Sequence, residues 1–469
     1  MVPDSAPPRL ASPNVLVLTV AIYAMFLFSP RVLGDGDTFS HIATGEWMFA
    51  HRVIPRFDPF AFTTAGLVWV PHEWLAEIIM AVAWRAGGWV GVVWVTAACA
   101  ALAIATMARL LERHLRTLPT YILLILTVMT IVPTMLARPH ILTLPIMTIW
   151  VAQLVNARAE KRAPKLWLAG LMVLWANMHG SYMIGLAIAG ALAAEAVVSA
   201  WPGWLRAARG WALFIIAAVL AACITPLGLD AILFPFQMLG RGATAHIQEW
   251  VAPNFQEPQP LEFILMAVLL FGLTSGVRLP WFRVLLFLGL LHSALRHTRF
   301  QMQLAVIGFQ LLAPALGAFL PPRRVADGGG GRWAGRVMLA ALVLLTVARF
   351  SQPILRADEA TAPVSALALV PADVRARPVF NAYQFGGYLI FQGVRPYVDG
   401  RADLFGDAFL DDYLVILQAQ PAALNAAFAK FNIGWTILAP DVPLVAWLDA
   451  QPGWRRLHAD ATAVVHVRN

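Results

Sequence analysis

Residues 31–52, RVLGDGDTFSHIATGEWMFAHR, follow directly on the first long apolar run of the chain and set two aspartates, a histidine and a glutamate beside a membrane-length segment. Ionisable groups are costly next to lipid, so the stretch belongs at an interface, and the rest of the chain must supply the membrane. It does. The 469 residues are 59% hydrophobic and only 13% charged, far outside the range of soluble domains. The chain therefore reads as a polytopic α-helical membrane protein. Cys99 and Cys223 sit inside apolar runs, so no disulfide framework is implied. The excess of 34 Lys+Arg over 26 Asp+Glu is dispersed among short loops, which fits orientation in a membrane better than nucleic-acid binding. The first run ends in FLFSPRVLG with no small-x-small cleavage site, which predicts a retained anchor.

A membrane span needs about 20 apolar residues, fewer where protein packs around it. About eleven such runs occur, near 14–30, 88–108, 119–136, 140–156, 165–178, 181–200, 210–226, 261–277, 281–295, 300–320 and 333–350. With a cytoplasmic N-terminus, alternate loops hold RLLERHLR, ARAEKRAPK, RAAR, RLPWFR and PPRRVADGGGGRWAGR, the basic loops that the positive-inside rule requires. The opposite, periplasmic face receives 31–87, the turns ARPH, NMHGSY and LRHTRF, the loop 227–260 and everything after about 350. HEWLAEIIMAVAWRAGG is short for a crossing, and a crossing there would invert every later loop, so it is expected as a helix along the surface. DGGGGR lacks the Lys-Ser/Thr of a phosphate loop and reads as a connector. After the last span, RPVFNA, RPYVDG, WTILAP and AVVHVR alternate with helical stretches, predicting a small α/β domain. The expected division is 1–350, transmembrane with a large first loop 31–87, and 351–469, soluble.

Polar groups collect on one face. The first loop brings Asp35, Asp37, His41, Glu46, Asp58, His72, Glu73 and Glu77. Later turns bring Arg138 and His140, Asn177 and His179, Gln248 and Glu249, then Arg296, His297 and Arg299. Each has a plain structural account. Asp37 can cap the helix TFSHIATGEWMFAH while Asp35 is merely solvated, HEWLAE can be an amphipathic surface helix with an interfacial Trp74, and Arg138 can snorkel to headgroups. Against those accounts, two carboxylates on a glycine-hinged turn can converge on a cation or a hydroxyl, and burial raises their proton affinity toward base duty. The two arginines of LRHTRF oppose the positive-inside trend, and arginine forks suit phosphate oxygens, at roughly 1.5–3 kcal/mol per charge-assisted bond. Acids from one loop and Arg and His from several helix ends suit transfer of a sugar from a lipid-linked phosphate, a carboxylate taking the acceptor proton while basic groups hold the leaving phosphate.

The order of parts resembles the membrane glycosyltransferases of the GT-C superfamily, such as protein mannosyltransferases, aminoarabinose transferases and oligosaccharyltransferase catalytic subunits. It comprises one span, a long first loop opening with GDGDTFSH, a surface helix beginning HEWLAE, further spans and a C-terminal soluble domain. DTFSHIATGEWMFAHRVIPRFDPFAFTTAGLVWVPHEWLAE is similar to the first loop of bacterial members. The resemblance implies Asp35 or Asp37 as the catalytic carboxylate, a polyprenyl-phosphate or diphosphate sugar as donor, and the bacterial inner membrane as location. Donor and acceptor binding is expected from His41, His72, Glu73, Arg138, His140, His179, Glu249, Arg296, His297 and Arg299. NAYQFGGYLIFQGVRPYVDGRADLFG is weakly similar to the acceptor-binding WWDYG region of oligosaccharyltransferases but lacks the paired tryptophans and the aspartate, which puts transfer to asparagine in doubt. There Asp399, Arg401 and Asp403 are expected on the acceptor side, a β-turn salt bridge being the plainer account. Mg²⁺ or Mn²⁺ could join Asp35 and Asp37, since both ions favour carboxylates, although many enzymes of this architecture work without one. A transporter or lipid flippase would place ionisable groups or broken helices near the midplane. An envelope-assembly scaffold would tolerate loss of any single acid.

Overall fold

The computed structural model describes residues 13–233, 251–319 and 331–469. Gln248, Glu249 and the glycine connector lie outside the described residues. The part before residue 351 is built of helices, the main ones being α1 (Pro13–Phe28), α2 (Asp37–His51), α3 (Trp74–His114), α4 (Thr117–Ile131), α5 (Leu144–Ala159), α6 (Ala169–Ala176), α7 (Tyr182–Ser199), α8 (Trp204–Ala222), α9 (Pro260–Ser275), α10 (Trp281–Arg296), α11 (Phe309–Phe319) and α12 (Gly331–Phe350). Among the described residues, seven helical stretches are long and apolar enough to cross a membrane, and shorter apolar helices occupy Val15–Phe28, Leu166–Ala176 and Pro260–Ser275. With α10 these fall on the runs expected from sequence, and the chain is a multi-pass α-helical membrane protein.

HEWLAE and the following span form one helical element, broken at Gly87 (φ −158°, ψ 21°) and Gly88 (φ 55°, ψ −143°). Only glycine adopts the Gly88 conformation without strain. The corner is tight, since a β-carbon on Gly91 would overlap the Ala83 carbonyl. Residues 74–86 rise about 20 Å at 1.5 Å per residue, short of a hydrocarbon core of about 30 Å. The segment is thus a separate arm of α3, and α2 packs on it closely enough that a β-carbon on Gly45 would meet the Glu77 carbonyl.

Deep in the helices, Glu195 of α7 accepts from Arg283 Nε at 3.2 Å and faces Arg158 Nε at 3.3 Å, while Arg283 Nη1 donates to the Leu311 carbonyl at 2.9 Å. This knot ties α5, α7, α10 and α11 together, and its carboxylate is fully engaged by protein groups, unlike a carrier site that must release its ion.

The C-terminal segment folds around a four-stranded sheet of β1 (Val379–Asn381), β2 (Trp435–Leu438), β3 (Trp454–Ala459) and β4 (Val464–Arg468), ordered β1-β2-β4-β3. β1 and β2 are parallel and the other pairs antiparallel. Every residue of β1 and β2 is buried, as a strand covered on both faces requires. The helix α13 (Gly386–Phe391) lies against α2. Phe39 meets Trp89 and Tyr388 edge-on, each with ring centroids 5.2 Å away, and Arg356 sits over Phe39 and Trp89 at 5.1 and 5.2 Å. One aromatic cluster therefore fixes first loop, α3 corner and soluble domain together.

Candidate active site

The acidic turn is built from its own backbone. Asp35 Oδ1 accepts the Asp37 N–H at 2.7 Å, and α2 begins at Asp37. The duty expected of Asp37, holding the helix start with its carboxylate, falls to Asp35 instead. Asp37 is left to turn its side chain outward from the helix start, where Arg138 Nη2 donates to Oδ2 and the bare Cα of Gly400 lies against Oδ1. Arg138 Nε stands 3.6 Å from Asp35 Oδ1, so one guanidinium faces both acids. Arg138 is aimed by its extended backbone just before Pro139, which opens the next helical segment. Among the described residues Asp35 Oδ2 accepts no hydrogen bond, which leaves it the carboxylate oxygen of the pair not engaged by a protein donor.

One helix turn beyond Asp37, His41 points both ring nitrogens at carboxylates: Nδ1 to Glu77 Oε1 at 3.3 Å and Nε2 to Glu73 Oε2 at 3.8 Å. Glu73 Oε1 also faces His72 Nε2 at 3.6 Å and His179 Nε2 at 3.7 Å. The ring of His140 lies 6.3 Å from that of His179. Burial alone would raise the Glu73 carboxyl, but His72, His179 and His41 more than reverse it and hold it well below the usual range. For His41, burial opposes the charge while Glu77 and Glu73 prevail and raise it; for His72, Glu73 does the same. His179 goes the other way, to about 3, because burial and Arg299 outweigh Glu73. Its tautomer follows from its neighbours. The Ser181 N–H donates to Nδ1 at 3.1 Å, so neutral His179 carries its proton on Nε2, toward Glu73.

These shifts have a stability consequence. Lowered Glu73 contributes stability that is present above the ordinary carboxyl value near 4.5 and fades below it. Raised His41 and His72 contribute fully below 6.5 and lose it as pH climbs through their folded values. Within the cluster, His179 weakens the fold between pH 6.5 and about 5, because the unfolded chain takes up a proton there that the folded chain refuses, at up to about 1.4 kcal/mol per pH unit. Thermal unfolding in detergent is expected to show a smaller acid loss over that interval for His179→Asn than for the wild type. Parallel curves would contradict the assignment.

The other expected residues divide. Arg299 acts electrostatically on His179, which brings its turn to the cluster, whereas Arg296 is exposed at the end of α10 and His297 packs on Phe300, ring centroids 5.9 Å apart. Of Asp35, Asp37, His72, Arg138 and Arg296, expected to line one cavity, the first two meet Arg138 and His72 meets Glu73, while Arg296 is exposed at the end of α10. Glu249 lies outside the described residues. Asp399 and Arg401 do not reach this site. Arg401 binds both Asp399 oxygens, at 2.8 and 2.7 Å, and Asp58 Oδ1 at 2.6 Å, with its guanidinium 4.6 Å from the Trp69 ring centroid. All three guanidinium nitrogens of Arg401 donate to these carboxylates, so the ion triad clamps the soluble domain to the first loop. The divalent ion considered for Asp35 and Asp37 does not fit either, because the Arg138 guanidinium occupies the point on which both carboxylates converge. Among the described residues, no group of three or more His, Cys, Asp or Glu is placed to hold a metal ion.

Tyr383 and Gly400 were not singled out as site residues by sequence, whereas Asp403 was expected on the acceptor side with Asp399 and Arg401. Burial raises the Tyr383 phenol, with Asp399 and Asp403 adding to the rise and Arg138 opposing it, and Asp403 also acts on His72. The soluble domain therefore faces the acidic turn directly. The two glycines of FGGY and the one in VDGR are the only sequence signal of that approach. Beside the cluster, a crevice of about 470 Å³ runs along Trp74, Val173, Ile224 and Pro226, with Trp74 Nε1 donating to Asn177 Oδ1 at 2.6 Å.

No protein-family model matches the chain, and no curated protein sequence does. Among solved structures, the chain is similar to the oligosaccharyltransferase of Archaeoglobus fulgidus in the apo form, at a TM-score of 0.54 and 12% identity over 90% of this chain and 69% of that one. It is also similar to ArnT from Cupriavidus metallidurans bound to undecaprenyl phosphate, at a TM-score of 0.51 and 13% identity over 97% of this chain and 98% of that one. The fold is GT-C-like. At such identities the likeness carries the arrangement of helices, first loop and soluble domain, and no residue roles.

Proposed function

We propose that this GT-C-like chain transfers a sugar from a polyprenyl-phosphate or polyprenyl-diphosphate donor to an acceptor hydroxyl at the membrane face that carries the first loop, the periplasmic face of a bacterial inner membrane. The carrying observation is the convergence of Asp35 and Asp37 on Arg138, beside a cluster of histidines and glutamates at the ends of apolar helices. ArnT binds undecaprenyl phosphate in a structure of this same arrangement, which supports a lipid-linked donor. Asp35 is the catalytic carboxylate in this reading. Its Oδ2 takes the acceptor proton as the acceptor oxygen bonds to the anomeric carbon, and the bond from that carbon to the phosphate oxygen breaks. The departing polyprenyl phosphate carries the negative charge, which Arg138, Arg299 and the adjacent His140 stabilise. Asp37 holds Arg138 in place. No step requires a metal.

The test is release of polyprenyl phosphate from lipid-linked sugars by membranes carrying the wild type, Asp35→Asn or Asp37→Asn. Asp35→Asn is expected to lose at least about 100-fold, in line with removal of a catalytic acid–base group. Wild-type release by both variants would end the proposal and leave an envelope-assembly scaffold as the better account.

A further inference from the structure

Three glycines where the soluble domain meets the acidic turn are not explained by backbone conformation. Gly386, Gly387 and Gly400 are absent from the glycines with positive φ, which are Gly66, Gly88, Gly228, Gly276, Gly393 and Gly406 among the described residues. None of them needs glycine for a left-handed backbone. What each lacks is room. A β-carbon on Gly387 would overlap the carbonyl oxygen of Gly36, between the two aspartates; one on Gly386 would overlap the Val398 carbonyl and Asp399; one on Gly400 would overlap Asp37 Oδ1. The three contacts form a stack, Gly36 on Gly387, its neighbour Gly386 on Val398 and Asp399, and the adjoining Gly400 on Asp37.

We infer that Gly400, backed by Gly386 and Gly387, is a positioning residue that seats the Asp37 carboxylate against Arg138, so that the soluble domain completes the catalytic centre and is not an appended acceptor module. This rests on the transferase reading for its purpose, but not for its geometry. The seat works by exclusion. With the bare Cα of Gly400 covering Oδ1, the carboxylate can turn only Oδ2 to a partner, and that partner is Arg138. The turn bearing Gly400 is itself immobile, because Arg401 next to it is bound to Asp58 of the first loop and to Asp399. A methyl group at 400 must therefore displace Asp37 and not the turn. Displacement unlatches Arg138, which then no longer stands over Asp35.

The test is a double-mutant cycle on the full-length protein in detergent, read first by thermal unfolding and needing no donor. Gly400→Ala is expected to lower the midpoint by about 3 °C or more in the wild-type background and by less than about 1 °C on Asp37→Ala, which removes the atom that clashes. If Gly400→Ala alone does not accumulate folded, recovery of folded protein in Gly400→Ala/Asp37→Ala is the equivalent supporting result. Gly453→Ala, at a soluble-domain glycine with nothing within 4 Å and no positive φ, is the control and should match the wild type. In transfer, Gly400→Ala is expected to lower kcat at least tenfold with KM for the donor unchanged, as for a misplaced catalytic group and unlike a lost binding contact. Equal shifts of the midpoint in the two backgrounds would overturn the seat and leave the transferase reading intact. Coupled shifts with no release from any lipid-linked sugar would keep the seat and remove the transferase reading.

Discussion

Arg138→Gln is expected to lower sugar transfer by at least about 100-fold. The geometry makes Arg138 the sole cation shown in contact with both acids of the turn, with Nη2 on Asp37 and Nε 3.6 Å from Asp35. Without it, the two carboxylates face one another uncompensated and the positive charge over the turn is gone. Loss of one preorganised charge aimed at developing negative charge typically costs 10²–10³ in rate, about 3–4 kcal/mol. Arg138→Lys keeps the charge but has one nitrogen and cannot span both carboxylates, so it is expected to fall between. Near-wild-type transfer by Arg138→Gln would remove Arg138 and the aspartate pair from the mechanism.

Arg401→Met has the largest expected effect on stability, about 3–5 kcal/mol, because it leaves two buried carboxylates without their cation. Asp399 is 0% and Asp58 6% exposed, so neither can turn to water when the guanidinium is gone. Asp58 would keep the N–H groups of Phe60 and Ala61 and the Thr64 hydroxyl, which makes Asp399 the more exposed to loss. The damage should localise at the join of first loop and soluble domain, visible as faster proteolysis of residues 52–73 as well as a lower unfolding midpoint. Replacing Asp58, Asp399 and Arg401 together by Asn, Asn and Met should recover part of the loss, since no uncompensated charge then remains. The reference is Arg456→Met, whose partner Asp449 is a surface acid, and a shift for Arg401→Met no larger than that of Arg456→Met would show the clamp to be incidental.

The apolar helices were legible because lipid leaves the backbone no alternative to internal hydrogen bonding and demands uninterrupted apolar runs. The acidic turn, Arg138 and the LRHTRF turn were legible for the complementary reason, that ionisable residues are rare beside such runs and stand out. Partnership was not legible. Asp37 meets Arg138 across 101 residues and Arg401 meets Asp58 across 343, and nothing in local sequence selects one arginine over another. The same gap explains why Arg296 and Arg299, three residues apart in one turn, were read alike although Arg299 acts on His179 and Arg296 is exposed at the end of α10.

The division is clearest within the GDGD turn itself. By itself the sequence determined that two carboxylates follow the first span, that the chain crosses the membrane many times, and that a small α/β unit follows the last span. Composition and periodicity carry those facts, because they are set residue by residue. Only the tertiary structure decided what each carboxylate does: Asp35 accepts a backbone N–H and keeps one oxygen open, while Asp37 is pressed between Arg138 and the bare Cα of Gly400. A carboxylate's role depends on which donors, charges and surfaces close around it. Here those come from the loop before α5 and a turn of the soluble domain, which only folding brings to one place.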